Sequence, residues 1–424
     1  MDGMDCLLPE VFAALRGEAP AHHAMRVPPA GIPRGHGPPL AGPPSSAKPT
    51  YGDDLAFHVD GANFTVQWTD PGVDPARAQA ILDQLEGAWQ HLVVEDGWPA
   101  PVSSDAWRLW VVLDPTVPGS GYTTLYTTDL YPGGYPISFL NPDYAKDQDS
   151  RYELSVAVHE LGHMIQYAVR RWERDDDEAW YWEATAEWMA ERGAPDIDTY
   201  AWSTYWYANA PDARYDAQRD GHAYGMLIVN AWLEEYAIGP LGVRDVWAGA
   251  GTAPWREVLA DAAGSTFGEL IRNVSAAYAG HTLRESTLFY DPVLLAEDLD
   301  EVGWWESVAP ESYGTHYLTV AGLPDGETFW VDGSFLVAYV ADDAWTEAPP
   351  EDGPFTVTIT QIELGSTMTY GIGPLPPDDY SGDGADTGGG GEPQACGCTS
   401  GTRGSVTGIL IGALLWGGRR RRAG

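Results

Sequence analysis

Cysteine is nearly absent from this chain. Only Cys6, Cys396 and Cys398 occur in 424 residues, and two of them lie near the C-terminal end, so the core rests on no disulfide framework. Positive charge is scarce as well: 23 Lys and Arg stand against 62 Asp and Glu, for a formal net charge of -39. That balance excludes nucleic acid as a partner, since a phosphate backbone would be repelled, and it favours solubility. No apolar stretch has the length of an ordinary membrane span. The uncharged run 404–418 would extend about 22 Å as a helix, against ~30 Å of hydrocarbon. Residues 1–9 are acidic and short of apolar length, so they do not read as a secretory signal.

What the chain does contain is His159-Glu160-Leu161-Gly162-His163. Residues four apart share one helical face, so His159 and His163 can present both imidazoles to one ion, with Glu160 beside them to take a proton from an activated water. The surroundings supply the helix this requires. Leu154, Val158, Leu161, Ile165 and Val169 recur at three- and four-residue steps, and no proline interrupts them. Gly162 weakens that helix by up to ~1 kcal/mol against alanine, and a glycine there would let another segment approach closely.

A catalytic zinc takes three protein ligands and keeps one position open. The next helical segment, 176–189, carries Glu183, twenty residues beyond His163. That is room for a helix to end and a second one to return the carboxylate to the ion. Glu187 lies one turn further on the same face, where it can accept the other ring N–H of a liganding histidine. Asp176 or its neighbours cap the start of the segment, and Gly193 with Pro195 ends it.

His-Glu-x-x-His followed by Trp182-Glu183-Ala184-Thr185-Ala186-Glu187 resembles the gluzincin class of zinc metallopeptidases, the thermolysin-like arrangement. The resemblance implies His159, His163 and Glu183 as zinc ligands, Glu160 as general base and Glu187 as an acidic orienting residue. The metzincin pattern requires Gly and His where Gln166 and Val169 complete the count, so that branch does not fit. From Tyr51 onward the chain also resembles surface or secreted metalloproteases of myxobacteria. The implied activity is peptide-bond hydrolysis outside the cytoplasm by a metal-activated water, with peptide or protein as substrate. Endopeptidase action is the expectation, with aminopeptidase action left open; no acidic amine-anchoring motif precedes His159. The related enzymes draw an oxyanion donor, Tyr or His, from beyond the third ligand. Tyr205, Tyr207, His222 and Tyr224 occupy that interval, with His222 and Tyr224 favoured because they open a helix running to Leu233. The alternative is a non-catalytic surface binding or structural protein that keeps a zinc-stabilised fold, with a fourth protein ligand or a blocked cleft.

The expected fold is α+β. A zincin-like domain over 51–304 combines a mixed sheet, the active-site helices and a helical second lobe near 221–280. Strands are expected at 63–68, 107–113 and 135–141, with a helix over 75–94. The resemblance implies that an edge strand near 135–141 pairs with extended substrate. From 305 to 372, short β-branched runs between Gly, Pro and Asp turns predict a small β-sandwich that stabilises the catalytic domain.

At the two ends the reading is compositional. Residues 1–50 read as prosegment or linker, and 373–403 as a polar spacer carrying Cys396-Gly397-Cys398. Residues 404–424 join a short apolar helix to Arg419–Arg422. That order resembles the C-terminal sorting tail of myxobacterial surface proteins, which implies membrane contact through the tail and a cell-surface or secreted location. Structural calcium is a further expectation from acidity alone, although no twelve-residue calcium loop occurs.

Overall fold

The computed structural model describes residues 55–373, apart from 118, 129–130, 144–149, 170–178, 218–220, 252, 326, 342–343, 351–352 and 363–366. The terminal segments, with the expected prosegment, spacer, cysteine motif and sorting tail, lie outside the described residues. So does the expected cap at Asp176.

Five strands form the first sheet: β1 (Phe57–Asp60), β2 (Phe64–Trp68), β3 (Leu109–Leu113), β4 (Gly121–Thr128) and β5 (Tyr131–Leu140). Their order is β1-β2-β3-β5-β4, with β2, β3 and β5 parallel and β1 and β4 antiparallel at the two edges. β2 and β3 are buried along their whole length because the sheet is covered on both faces. Phe64, Val66, Leu109, Val111 and Leu113 turn into the main core. Trp110, Val112, Ile137 and Phe139 form a smaller cluster on the opposite face.

The expected strand near 135–141 is β5, and it is interior rather than an edge. The edge is β4, whose Tyr-, Thr- and Gly-rich sequence carries too little hydrophobic signal to stand out. It pairs with β5 in the register Tyr122↔Phe139 and Thr123↔Ser138, and the Tyr122 ring stacks on Phe139 at 4.9 Å.

Helix α1 (Pro75–Trp89) starts where Pro75 supplies a preset φ and the Asp74 side chain accepts the Ala76 N–H at 2.9 Å. It buries Ala78, Ile81, Leu82, Leu85 and Ala88 against the sheet, then continues as a π-helical turn, Gln90–Glu95. Helix α2 (Ser150–Val169) carries the motif, and Arg77 of α1 holds Glu153 in its first turn.

Helix α3 (Ala179–Gly193) is buried on nearly all sides, with Trp180, Trp182 and Trp188 each about 1% exposed. Each of these rings hides roughly 150–250 Å². The helical lobe follows as α4 (Tyr200–Asn209), α5 (His222–Gly225), α6 (Leu227–Trp232), α7 (Gly242–Gly249), α8 (Trp255–Ala263) and α9 (Phe267–Ala279). Thr266 and Glu269 close a capping box at the start of α9.

The chain is α+β, as expected. Its C-terminal strands build two further sheets. One is β11 (Ala344–Thr346), β10 (Phe335–Ala341), β12 (Phe355–Gln361), β8 (Thr315–Val320) and β6 (Ala296–Leu299); the other is β7 (Gly303–Val308), β13 (Thr367–Ile372) and β9 (Phe329–Asp332). Leu318, Val357 and Ile359 of the first share a core with Phe329, Met368 and Tyr370 of the second.

The strands begin at Ala296, and the expected boundary at 304/305 falls inside β7. Nor is this region set apart. Helix α9 packs on β10 and β12, Tyr317 belongs to the main core, and the described residues cluster as one unit. Among the described residues no helix is long and apolar enough to cross a membrane.

Candidate metal centre

Helices α2 and α3 meet where neither carries bulk. A Cβ on Gly162 would stand 3.1 Å from the Ala186 Cα and 3.3 Å from its Cβ, closer than ordinary contact. That approach brings Glu183 up to the two histidines. One carboxylate oxygen, Oε2, lies 3.2 Å from His159 Nε2 and 3.5 Å from His163 Nε2. One ligand atom from each of the three residues falls within 4.8 Å of the others, and all three are buried.

The electrostatics suit a cation. Glu183 is 2% exposed and neither of its oxygens receives a hydrogen bond. Holding a buried carboxylate away from water costs several kcal/mol unless a neighbouring positive charge offsets it. Burial pushes its carboxyl up, but the His163 and His159 rings outweigh burial and hold it down at about 2. The group therefore stays ionised. Two imidazole nitrogens and a carboxylate on buried, converging side chains can hold a metal ion, and this donor set is one that zinc takes.

The ring nitrogens facing away from the centre are also engaged. His159 Nδ1 lies 3.3 Å from Glu187 Oε1, the place expected for Glu187, and Ser203 of α4 donates to the other Glu187 oxygen at 2.8 Å. His163 Nδ1 meets Gln166 Oε1 at 2.7 Å, while Gln166 Nε2 donates to the Trp182 carbonyl at 2.9 Å. An amide oxygen can only accept, so His163 carries a proton on Nδ1 and faces Glu183 and the centre with Nε2. Gln166 was legible only as a mismatch to another motif, although its three-residue step from His163 puts it on the same face. Ser203 left no signal.

Glu160 is 1% exposed and receives the Thr123 hydroxyl from β4 at 2.7 Å. Burial raises its carboxyl above the ordinary value, against the opposing pull of His163, His159 and that hydrogen bond. The cleft over the centre is lined by Ser120, Val156, His159, Glu160, Trp202 and Tyr224, with Glu187 at its wall. It thus opens between α2 and the residue preceding β4 on one side and α4 and α5 on the other.

His222 and Tyr224 part company. The Tyr224 ring stands 5.7 Å from the His159 ring and lines the cleft. His222 does not line it: the side chain is 1% exposed and stacks on the Tyr207 ring at 5.9 Å. Two residues in a helix are about 200° apart, so 222 and 224 cannot face one cleft together. Tyr207 is likewise taken into the core, donating or accepting with Ser275 and Tyr317, and Tyr205 packs on Trp206 and Tyr290. Among the described residues the structure brings together His159, Glu160, His163, Glu183, Glu187 and Tyr224, and leaves His222 outside.

No protein-family profile matches the chain, and no curated protein matches it.

Proposed function

We propose that the protein is a zinc-dependent peptidase, an endopeptidase acting on peptide or protein substrates outside the cytoplasm. The observation that carries this reading is the buried convergence of His159, His163 and Glu183 within 4.8 Å, next to the Glu160 carboxylate in the wall of a small cleft. A zinc ion bound there supplies a Lewis acid for the scissile carbonyl and lowers the pKa of the attacking water.

The chain's own groups divide the remaining work. Glu160 accepts the proton as water attacks and returns it to the leaving amine. Tyr224, with its ring beside His159 in the cleft wall, is the group placed to donate to the developing oxyanion. Glu187 and Gln166 keep the two imidazoles in the liganding tautomer. The free edge of β4 offers main-chain groups to an extended peptide. Secretion or surface attachment rests on the sequence of the tail alone.

The test is direct. Purified protein binds one zinc per chain and cleaves an unstructured protein such as casein; a chelator abolishes cleavage, and added zinc restores it. A chain that binds no zinc, or binds it and cleaves no peptide in a broad library, removes the proposal. Zinc without turnover would leave the structural reading in its place.

A further inference from the structure

One side chain that touches Glu160 comes from neither active-site helix. Thr123 Oγ1 lies 2.7 Å from Glu160 Oε2, 3.1 Å from the Glu160 carbonyl and 2.6 Å from Ser138 Oγ. Thr123 is fully buried and Ser138 is 1% exposed, so water does not compete for these groups. A threonine hydroxyl has one proton to give. That proton goes to Glu160 Oε2, the nearer of its two contacts on Glu160. Ser138 therefore donates to Thr123, and Thr123 donates to Glu160. The result is a directed chain from the interior strand β5 through the edge strand β4 to the carboxylate.

The same strand faces the other oxygen. Residues i and i+2 share one side of a strand, and a Cβ on Gly121 would lie 3.3 Å from Glu160 Oε1. Position 121 is thus where the strand leaves room for the carboxylate, and position 123 is where it grips it.

We propose that Thr123 is a positioning residue for Glu160, fixing the carboxylate in one rotamer from strand β4 through the Ser138–Thr123–Glu160 chain of hydrogen bonds. The hydrogen-bonded geometry stands by itself; its kinetic consequence rests on the peptidase reading. Nothing in the His-Glu-x-x-His pattern identifies this residue, which is 37 positions upstream of the glutamate it holds.

Three zinc-loaded chains test it: wild type, Thr123→Val and Thr123→Ser. Valine matches threonine in shape and suits a strand, so the sheet survives the change. Thr123→Val is expected to keep one zinc per chain and KM within about twofold, while kcat falls roughly 10- to 100-fold, the scale of a misplaced reacting group. Thr123→Ser restores kcat to within about threefold of wild type. Crystal structures of the zinc-loaded forms show the Glu160 carboxylate rotated in the valine chain and in place in the serine chain.

An unchanged kcat and an unmoved carboxylate in Thr123→Val overturn the proposal, as does a serine chain no better than valine. Should Thr123→Val fail to fold, Thr123→Ala answers the same question. It removes the hydroxyl and adds no bulk, and an unmoved Glu160 carboxylate there is equally fatal. A wild-type chain that binds zinc but cleaves nothing removes the peptidase reading alone, and the carboxylate positions still decide the role of Thr123.

Discussion

At the scale of single residues, the centre depends on groups that do not themselves reach the ion. Gln166 bridges the His163 ring and the backbone of α3 immediately before Glu183, so one amide ties both ligand-bearing helices together. Gln166→Leu keeps the packing volume but removes the acceptor for His163 Nδ1. Its zinc affinity should fall roughly 10- to 100-fold, read by competition with a chromophoric chelator. Glu160→Gln makes the opposite separation. Zinc stays bound at one per chain, while peptide cleavage drops by about 10²-fold or more, because the amide cannot take the water's proton. His159, Glu160 and His163 were legible in the sequence through the 3.6-residue turn, and Glu183 with Glu187 through the resemblance that paired the two helices. His222 and Tyr224 were read as a pair from the same helix. The half-turn between them, together with the Tyr207 ring that takes up His222, shows why only Tyr224 meets the cleft.

Among elements, the decisive contact is the crossing of α2 and α3 at Gly162 and Ala186. Gly162→Val would drive a branched side chain into the Ala186 backbone and the Met189 thioether. Overpacking of this kind costs roughly 1–3 kcal/mol, and zinc affinity should fall with stability as Glu183 is pushed from the histidines. Denaturant melts alongside zinc titrations measure both.

The far end of α3 adds a pH dependence. Burial, with the neighbouring Glu285 carboxylate, pushes the Glu191 carboxyl up to about 8, although the Tyr200 N–H donates to it. The folded chain therefore holds this proton more tightly than the unfolded chain, whose carboxyl titrates near 4.5. The stabilisation is complete below that lower value and is lost as pH rises toward 8. Glu191→Gln should lose roughly 1–3 kcal/mol less stability than wild type between those limits, by chemical melts at successive pH values. Strand β4 is the element the sequence hid: an edge strand shows the core only one face, and threonine and tyrosine mark that face weakly.

Taken as a whole, the molecule does not divide where its sequence texture changes. Tyr317 on β8 sits in the main core and shares a hydrogen bond of 2.7 Å with Tyr207 on α4, and Ser275 on α9 bonds Thr315 at 3.0 Å. A chain limited to residues 51–304 would leave those hydroxyls and the β-facing side of α9 bare. It should lack a cooperative thermal transition and near-ultraviolet circular dichroism, whereas 51–373 shows both.

What the sequence determined by itself was local. The helical step placed two imidazoles and the glutamate between them, a second helix of the right offset carried the third ligand, and alternating runs marked most of the strands. These follow from periodicities of 3.6 and 2, which are properties of neighbouring residues. Only the tertiary structure decided that β4, not β5, is the edge, that Thr123 reaches Glu160, that His222 turns inward and that the C-terminal strands share the helical core. Each of those depends on contacts between residues far apart in the chain, where sheet order and side-chain volume, not spacing, select the neighbour.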